Sequence, residues 1–432
     1  MSLAGTRRWP DLLIAGLLAV LAGAAALAGE HRIPAALSLQ RDAYDLWFEG
    51  DLPRVYALIS TRWPDPRYHT RRHPMFILAL LPFSKAAQVV LGLNPLDAVR
   101  LVMSLVAALW LAALFLLLRL SGCRRLDAAL FSVLASVSAG AVFWFSVPET
   151  WGLGSVSLLV PLVLLAWARD RHVSAWWYTA ASAASLSITV TNWMAGIITT
   201  FVRWPWRRAI RMTAGALCLV TLLWGAEKLL LPRIQFFMTS KNNARYLFQK
   251  DSGGPVQITN VFVFHSMVMP SITEHAQSNR PGTPTMNIQI AAPGSATLWG
   301  RVAVWLWAAL LGLGAWGARA AARRQRTFTL ALMLTLLGQY AFHLAYGGEE
   351  TFLYSLHWIP LLIVVASWST LTRARPLALV LAGMLVVCVA VNNTRQFSGA
   401  VAFAQQWVQR VAAQDAGAAA PPAIEAIREG QR

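Results

Sequence analysis

Long apolar runs recur along almost the whole chain and are separated by short polar segments. A run of about 20 apolar residues is long enough to cross a bilayer as an α-helix. The first run lacks a clear cleavage site, so we interpret it as an uncleaved span. The pattern predicts about eleven spans, at 11–28, 99–119, 128–147, 152–168, 174–191, 193–203, 210–231, 296–318, 327–346, 352–370 and 377–394.

The placement of arginines predicts the orientation of these helices. Loops rich in arginine face the cytoplasm, and such loops alternate along the chain after residue 99. This alternation predicts an N-terminus inside and a C-terminus outside. The clusters are Arg7 and Arg8; Arg119, Arg124 and Arg125; Arg169 and Arg171; Arg203, Arg207, Arg208 and Arg211; Arg319, Arg323, Arg324 and Arg326; and Arg373 and Arg375.

The same alternation of inner and outer loops excludes one further apolar run, 75–93, from the spans. Pro82, Ser84 and Lys85 lie in its middle and disfavour a simple crossing. We therefore predict a juxtamembrane or re-entrant helix on the outer leaflet.

The expected fold is an all-α polytopic membrane protein. It comprises a single transmembrane domain, 1–396, with long outer loops at 29–74 and 232–295, and a short outer tail, 397–432. The composition agrees, since 57% of residues are hydrophobic and 13% are charged, against about 25% charged in soluble proteins. The net charge of +18 reflects arginines at helix ends rather than nucleic-acid binding. The three cysteines are far apart and predict no disulfide framework or metal site.

The first outer loop carries positive charge where the orientation rule predicts little. Arg54, Arg71 and Arg72 lie there, together with His69 and His73. Arginine binds phosphate through two hydrogen bonds and keeps its charge near an apolar surface. The loop is therefore a candidate phosphate-binding site, although attraction to lipid headgroups would also explain the arginines.

Asp51 is the candidate general base of this loop. It follows a glycine and precedes Leu52 and Pro53, where a helix is expected to begin. A carboxylate close to the bilayer surface could take a proton from an acceptor hydroxyl. The alternative role is a helix N-cap, which aspartate fills well. Asp42 or Asp45 could be the base instead.

Other polar side chains are predicted to face the same side and to contact a substrate. Glu149 lies in a turn between two spans, and Glu349 and Glu350 precede a segment that carries Tyr354 and His357. A satisfied core histidine is the alternative reading of His357. The chain has no Walker loop and no GxGxxG, HExxH or GxSxG motif, so nothing suggests a nucleotide substrate.

Several stretches resemble the GT-C superfamily of integral-membrane glycosyltransferases. They are HPMFILALLPF (73–83), FEGDLPRVY, YHTRRHP, SVPETWGL and GGEETFLYSLHWIP. The protein mannosyltransferase and aminoarabinose transferase branches are the best known. The resemblance implies a polyprenyl-phosphate sugar donor, a lipid-donor cavity among the spans, juxtamembrane helices, and a catalytic acid in the first outer loop, which Asp51 matches. The acidic pair usual after the first span is absent, and Glu30 stands alone there.

The resemblance implies a glycosyltransferase in a bacterial cytoplasmic membrane, with its active site on the outer face. Its expected partners are the lipid-linked donor, membrane lipid and an acceptor (lipid, glycan or protein) that the sequence does not identify. No nucleic acid, metal or other cofactor is expected. Two alternatives stay open: a transporter or lipid flippase, and an envelope polysaccharide ligase or polymerase that uses a pyrophosphate-linked donor. The deep parts of the spans are almost free of charge and show no two-fold pattern, which disfavours a transporter.

Overall fold

The chain folds as a polytopic membrane protein that is 77% helical. The computed structural model describes residues 9–40, 45–62, 72–237, 247–248, 252–277, 280–347 and 350–415. The α-helices are α1 (Trp9–Arg32), α2 (Ala36–Leu39), α3 (Leu52–Ser60), α4 (Phe76–Val90), α5 (Pro95–Leu120), α6 (Arg125–Ser136), α7 (Ala139–Trp144), α8 (Trp151–Trp167), α9 (Ala175–Ile188), α10 (Trp193–Arg203), α11 (Trp206–Leu230), α12 (Pro255–Asn260), α13 (Leu298–Ala345), α14 (Ile359–Ser367) and α15 (Arg375–Asp415). Tighter or wider helical turns occupy Val190–Asn192, Val261–His265, Thr351–His357 and Trp368–Leu371.

Within the described residues, five helices are long and apolar enough to cross a membrane: α1, α5, α11, α13 and α15. The pair Thr351–His357 and Ile359–Leu371, bent by 52°, would make a sixth span. The predicted count of eleven is therefore not confirmed, because helices such as α9 and α10 are shorter than a crossing normally needs. In α13, Gln325 departs from helical geometry with a φ of −149°. This break separates the two spans predicted at 296–318 and 327–346.

Salt bridges gather several helix ends at one end of the molecule, which we call the arginine-rich end. Asp11, in the first turn of α1, accepts hydrogen bonds from Nε of Arg119 (3.0 Å) and Nε of Arg125 (2.7 Å). Asp127 accepts two from Arg375, at 2.8 and 2.7 Å. The start of α1, the end of α5 and the starts of α6 and α15 thus meet, as the alternation of arginines predicts.

Both ends of α4 lie at the opposite end of the molecule, which we call the Asp51 end. The backbone N–H of Met75 donates to the carbonyl of Ser187, near the end of α9 (2.7 Å). After α4, the chain enters α5, where Arg100 contacts His31 near the end of α1 (3.3 Å). Val90, at the last turn of α4, is exposed. This helix therefore does not traverse the molecule, in agreement with its predicted juxtamembrane position.

The second long loop contains an antiparallel hairpin that the sequence analysis did not predict. Its strands are β1 (Thr273–Gln277) and β2 (Arg280–Asn287). The Thr285 hydroxyl donates to the carbonyl of Asp45 (2.6 Å), and the Met286 N–H donates to that of Leu46 (3.0 Å). The two long loops therefore contact each other beside Asp51.

Helix α15 continues without a break past the predicted end of its span at residue 394. Inside it, the Asn393 amide donates to the carbonyls of Val137 (2.8 Å) and Met267 (2.9 Å). Four residues later, the Phe397 ring packs edge-on against Trp47, with centroids 5.8 Å apart. The first part of the predicted tail is thus packed against the Asp51 end.

Candidate active site

A tight turn at residues 45–50 delivers the chain to Asp51. Asp45, Phe48 and Glu49 have φ values of 69°, 49° and 59°, a left-handed conformation that costs a non-glycine residue on the order of 1–3 kcal/mol. The Phe48 ring is fully buried and packs edge-on against Phe352 at 5.5 Å. Packing of Phe48 and the hairpin contacts hold this turn in place.

The Asp51 side chain remains accessible at the start of α3. It stands at the N-cap position, but its carboxylate makes no capping hydrogen bond. The carboxylate instead pairs with the Arg54 guanidinium, and the side chain is 36% exposed. The backbone N–H of Asp51 donates to Oε2 of Glu149 (3.0 Å). The side chain, although paired with Arg54, is therefore accessible to a substrate while its backbone is fixed.

Glu149 is a buried carboxyl directly behind Asp51. Its Oε1 accepts hydrogen bonds from the backbone N–H (2.8 Å) and the hydroxyl (3.0 Å) of Thr150. Burial, together with the nearby charge of Asp51, raises the pKa of Glu149 to about 7, although the positive charge of Arg54 opposes this shift. Glu149 therefore changes its charge near neutral pH.

His73 lies on the other side of the Thr150 hydroxyl. Its Nδ1 lies 2.9 Å from the Ile188 carbonyl, and its Nε2 lies 3.3 Å from Oγ1 of Thr150. Burial lowers the pKa of His73 to about 3, so the ring is neutral, with Nδ1–H donating to Ile188. The single hydroxyl proton of Thr150 can then go to Glu149 or to His73. When Glu149 is protonated, its O–H can donate to the Thr150 hydroxyl, which in turn donates to His73. Every donor in this chain then has an acceptor.

A buried aromatic cluster continues from His73 into the helices. The Trp151 ring has centroid distances of 5.3 Å to His73, 4.7 Å to Tyr354 and 5.4 Å to His357. The Tyr354 ring also lies 4.8 Å from that of His343. The short 3₁₀ helix Thr351–His357 therefore brings both of its predicted site residues against the start of α8.

Polar side chains complete this cluster. The Asn192 amide donates to the Gly154 carbonyl (2.8 Å) and to Nε2 of His357 (3.4 Å), and the Gln339 amide donates to Oδ1 of Asn192 (3.4 Å). In the described part of the chain, Oε1 of Gln339 and Nε1 of Trp151 are buried without a hydrogen-bond partner. Such groups normally bind water or a ligand.

The structure brings together most of the predicted site residues from separate segments. Arg72 precedes His73, and its guanidinium lies 5.7 Å from the Tyr346 ring centroid. His69, Arg71 and Glu349 lie outside the described residues. The residues gathered around the Asp51 end are Asp51, Arg54, Arg72, His73, Glu149, Tyr354 and His357.

Sequence reasoning missed Thr150, Asn192 and Gln339 as members of this site. Gln339 is a polar residue inside a predicted span, and that position alone could have marked it as a candidate. Thr150 had no such signal, because its role depends on the fold bringing His73 within reach.

Glu350, which neighbours Glu349, has a structural role. Its Oε2 accepts the Ile288 N–H (2.9 Å), and its Oε1 accepts the Phe352 N–H (3.2 Å). Burial raises the pKa of Glu350 to about 8, although these backbone donors oppose the shift. Glu350 thereby fastens the segment after the hairpin to the 3₁₀ helix that carries Tyr354.

An apolar cavity of about 440 Å³ opens between α1, α5, α6, α7 and α15. Leu18, Leu111 and Phe145 are typical of its lining, which also includes Arg32. Ser146, three residues before Glu149, forms part of its wall. The cavity therefore has a mainly apolar lining and borders the segment that leads to Glu149.

Comparison with known proteins gives no match to this chain, either among protein-family models or among curated proteins. Among the described residues there is no group of three or more His, Cys, Asp or Glu side chains arranged to hold a metal ion. Function is therefore inferred from the geometry of the site.

The raised pKa of Glu149 predicts that the stability of the protein depends on pH. Glu149→Gln should remove this part of the pH dependence. The folded protein holds this proton more tightly than the unfolded chain, whose carboxyl titrates near 4.5. The resulting stabilisation is complete below that pKa and is lost as pH rises through about 7. From about pH 5 to about pH 8, the wild type should lose on the order of 3 kcal/mol relative to Glu149→Gln.

Thermal unfolding of both proteins across this pH range measures the effect. In Glu149→Gln, an amide group faces the Asp51 N–H, which is unfavourable at every pH. This effect lowers the stability of the variant by the same amount throughout, and it does not change how the stability difference between the two proteins varies with pH. Parallel curves would contradict the assignment of a titrating Glu149.

Proposed function

We propose that the protein is a GT-C-type glycosyltransferase that moves a sugar from a polyprenyl-monophosphate donor to an acceptor hydroxyl. The reaction would take place at the outer face of a bacterial cytoplasmic membrane. One observation carries the proposal: the accessible Asp51 carboxylate pairs with Arg54, and the backbone N–H of Asp51 is bound by the buried carboxyl of Glu149.

In the proposed reaction, Asp51 takes the proton of the acceptor hydroxyl as its oxygen attacks the anomeric carbon. The bond from that carbon to the phosphate oxygen breaks, and polyprenyl phosphate leaves with the electron pair. Arg54 and Arg72 would stabilise the negative charge that develops on the leaving phosphate. Direct displacement inverts the anomeric centre. His69 and Arg71 are proposed to assist at the phosphate.

Glu149 would act as a positioning residue for Asp51. It is buried, so an acceptor cannot reach it, and it binds the backbone N–H of the residue that carries the base. Because its pKa is close to neutral, it can hold a proton and so limit charge repulsion with Asp51.

The apolar cavity beside α1 supports a lipid-linked donor. A prenyl chain could lie along its aliphatic lining, with the phosphate directed towards the Asp51 end. The topology that belongs to this proposal has about eleven spans, an inner N-terminus and an outer first loop. Sugar entry would then occur laterally from the outer leaflet.

A transporter or flippase is the second candidate, and the buried polar cluster favours it. Polar and ionisable side chains deep among membrane helices often line a path for a solute or proton. His343, His357 and Gln339 would be members of such a path. A pyrophosphate-donor ligase or polymerase would use the same Arg54 and Arg72 site as the first proposal.

A donor-binding assay distinguishes these functions. The full chain in nanodiscs is offered a polyprenyl-monophosphate sugar, a polyprenyl-pyrophosphate sugar and a nucleotide sugar. The proposal predicts binding of the monophosphate donor, weakened about tenfold by Arg54→Gln because a charge-assisted hydrogen bond is lost. Arg100→Gln is the matched control, since Arg100 also pairs with an aspartate three residues earlier.

Preference for the pyrophosphate donor would replace the proposal with the ligase or polymerase. If no lipid-linked donor binds, the glycosyltransferase proposal is overturned and the transporter or flippase hypothesis remains.

A further inference from the structure

A strongly basic and aromatic patch lies where α10 ends and α11 begins. Arg203, Arg207, Arg208 and Arg211 occur within nine residues, and all four are exposed. No acidic residue occurs between them or for more than a dozen residues after Arg211. We call this segment, with its tryptophans Trp204 and Trp206, the 203–211 patch.

The patch lies at the end of the molecule away from the candidate active site. Helix α10 starts directly after Asn192, which contacts His357 in the buried cluster. Its eleven residues extend about 16 Å from there. The function proposed for the Asp51 end therefore does not account for the patch.

Aromatic rings hold three of the guanidinium groups in place. The Arg208 guanidinium carbon lies 4.0 Å from the centroid of the Trp204 ring, and that of Arg203 lies 5.6 Å from it. Arg207 lies 5.3 Å from the ring centroid of Trp206. Stacking of this kind is favourable, and it leaves the N–H groups at the rims of the Arg207 and Arg208 guanidiniums directed away from the rings.

Several other arginines near helix ends pair with carboxylates. Asp11 pairs with Arg119 and Arg125, and Asp127 pairs with Arg375. Among the ion pairs of the described residues, none includes an arginine of the 203–211 patch. The patch therefore presents uncompensated positive charge.

Neighbouring tryptophans indicate that the patch meets the membrane surface. Trp176 and Trp177 begin α9 and are 60% and 58% exposed, and Trp206 is 62% exposed. Tyr178 connects this turn to the patch, because its ring lies 5.9 Å from that of Trp204. Exposed tryptophans at helix ends are typical of the headgroup region of a bilayer.

We propose that the 203–211 patch binds the phosphate of an anionic glycerophospholipid in the leaflet at the arginine-rich end. The guanidinium rims would donate to the phosphate oxygens, and the exposed tryptophans would pack beside the glycerol and the first methylenes of the acyl chains. The start of α11 adds partial positive charge from its free N–H groups. This site is independent of the proposed enzymatic activity.

Lipid binding by the full chain tests this site. Native mass spectrometry and thermal unfolding are measured with phosphatidylglycerol and, separately, with phosphatidylcholine. The test variant is Arg207→Gln/Arg208→Gln/Arg211→Gln. The control is Arg319→Gln/Arg323→Gln/Arg326→Gln, which removes the same charge from exposed arginines of α13. None of those three arginines lies over an aromatic ring in the described structure.

The wild type and the control should retain phosphatidylglycerol and be stabilised by it more than by phosphatidylcholine. The test variant should bind phosphatidylglycerol on the order of 100-fold more weakly. Each arginine near a lipid surface contributes about fivefold to the affinity, and three arginines are replaced. An equal loss in both triple variants would show unspecific charge attraction and overturn the proposal. Unchanged binding in the test variant would overturn it too, as would displacement of the lipid by an equal concentration of inorganic phosphate.

Discussion

Gly314→Ala should strongly destabilise the protein, although it adds a single methyl group. A Cβ at Gly314 would lie 2.3 Å from the carbonyl oxygen of Val365 and 2.7 Å from the Cα of Ala366. Both atoms belong to the backbone of α14, so a side-chain rotation cannot relieve the clash and the helices must separate. Overpacking of this kind typically costs about 1–3 kcal/mol, and a backbone clash should reach at least the upper value.

Gly312→Ala is the matched control on the same helix. A Cβ at Gly312 would meet no atom within 4 Å, and alanine favours helix over glycine by about 1 kcal/mol. Thermal unfolding in detergent should therefore show a large loss for Gly314→Ala and no loss for Gly312→Ala. Equal unfolding temperatures would contradict the close approach of α13 and α14.

Long apolar runs predicted the positions of several helices, because a membrane-embedded backbone must satisfy its hydrogen bonds internally. Helices α1, α5, α11 and α15 lie where the apolar runs predict them. Helix lengths were harder to predict, because apolar side chains do not mark where a helix bends inside a protein. The predicted span 128–147, for example, is divided between α6 and α7.

The candidate site was predicted as a set of residues and not as a geometry. Positive charge in the first predicted outer loop marked Arg54 as a candidate, the expected start of a helix marked Asp51, and a turn between predicted spans marked Glu149. Asp51 and Glu149 lie 98 positions apart, so no local pattern could show that one binds the backbone of the other. The left-handed turn at 45–49 was equally hidden, since it depends on contacts with the hairpin.

Asp51→Asn should reduce sugar transfer by roughly 10²–10⁴-fold, the usual contribution of a general base. The amide has nearly the same shape but takes up no proton at neutral pH. Folding should be little affected, because the Asp51–Arg54 pair is partly exposed and such pairs contribute about 0–1 kcal/mol.

Asp97→Asn is the control for this variant. Asp97 forms the same i,i+3 pair with Arg100, and its side chain is 35% exposed, against 36% for Asp51. Both pairs lie at the Asp51 end of the molecule. Loss of an ion pair at this surface is therefore common to both variants, and loss of the proposed base occurs only in Asp51→Asn.

Transfer of a labelled sugar from a polyprenyl-monophosphate donor by the purified full chain in lipid tests the central claim most directly. The wild type and Asp97→Asn should consume one donor and yield a product of inverted anomeric configuration, while Asp51→Asn should bind that donor without consuming it. Equal turnover by Asp51→Asn, or a product of retained configuration, would contradict the proposed mechanism.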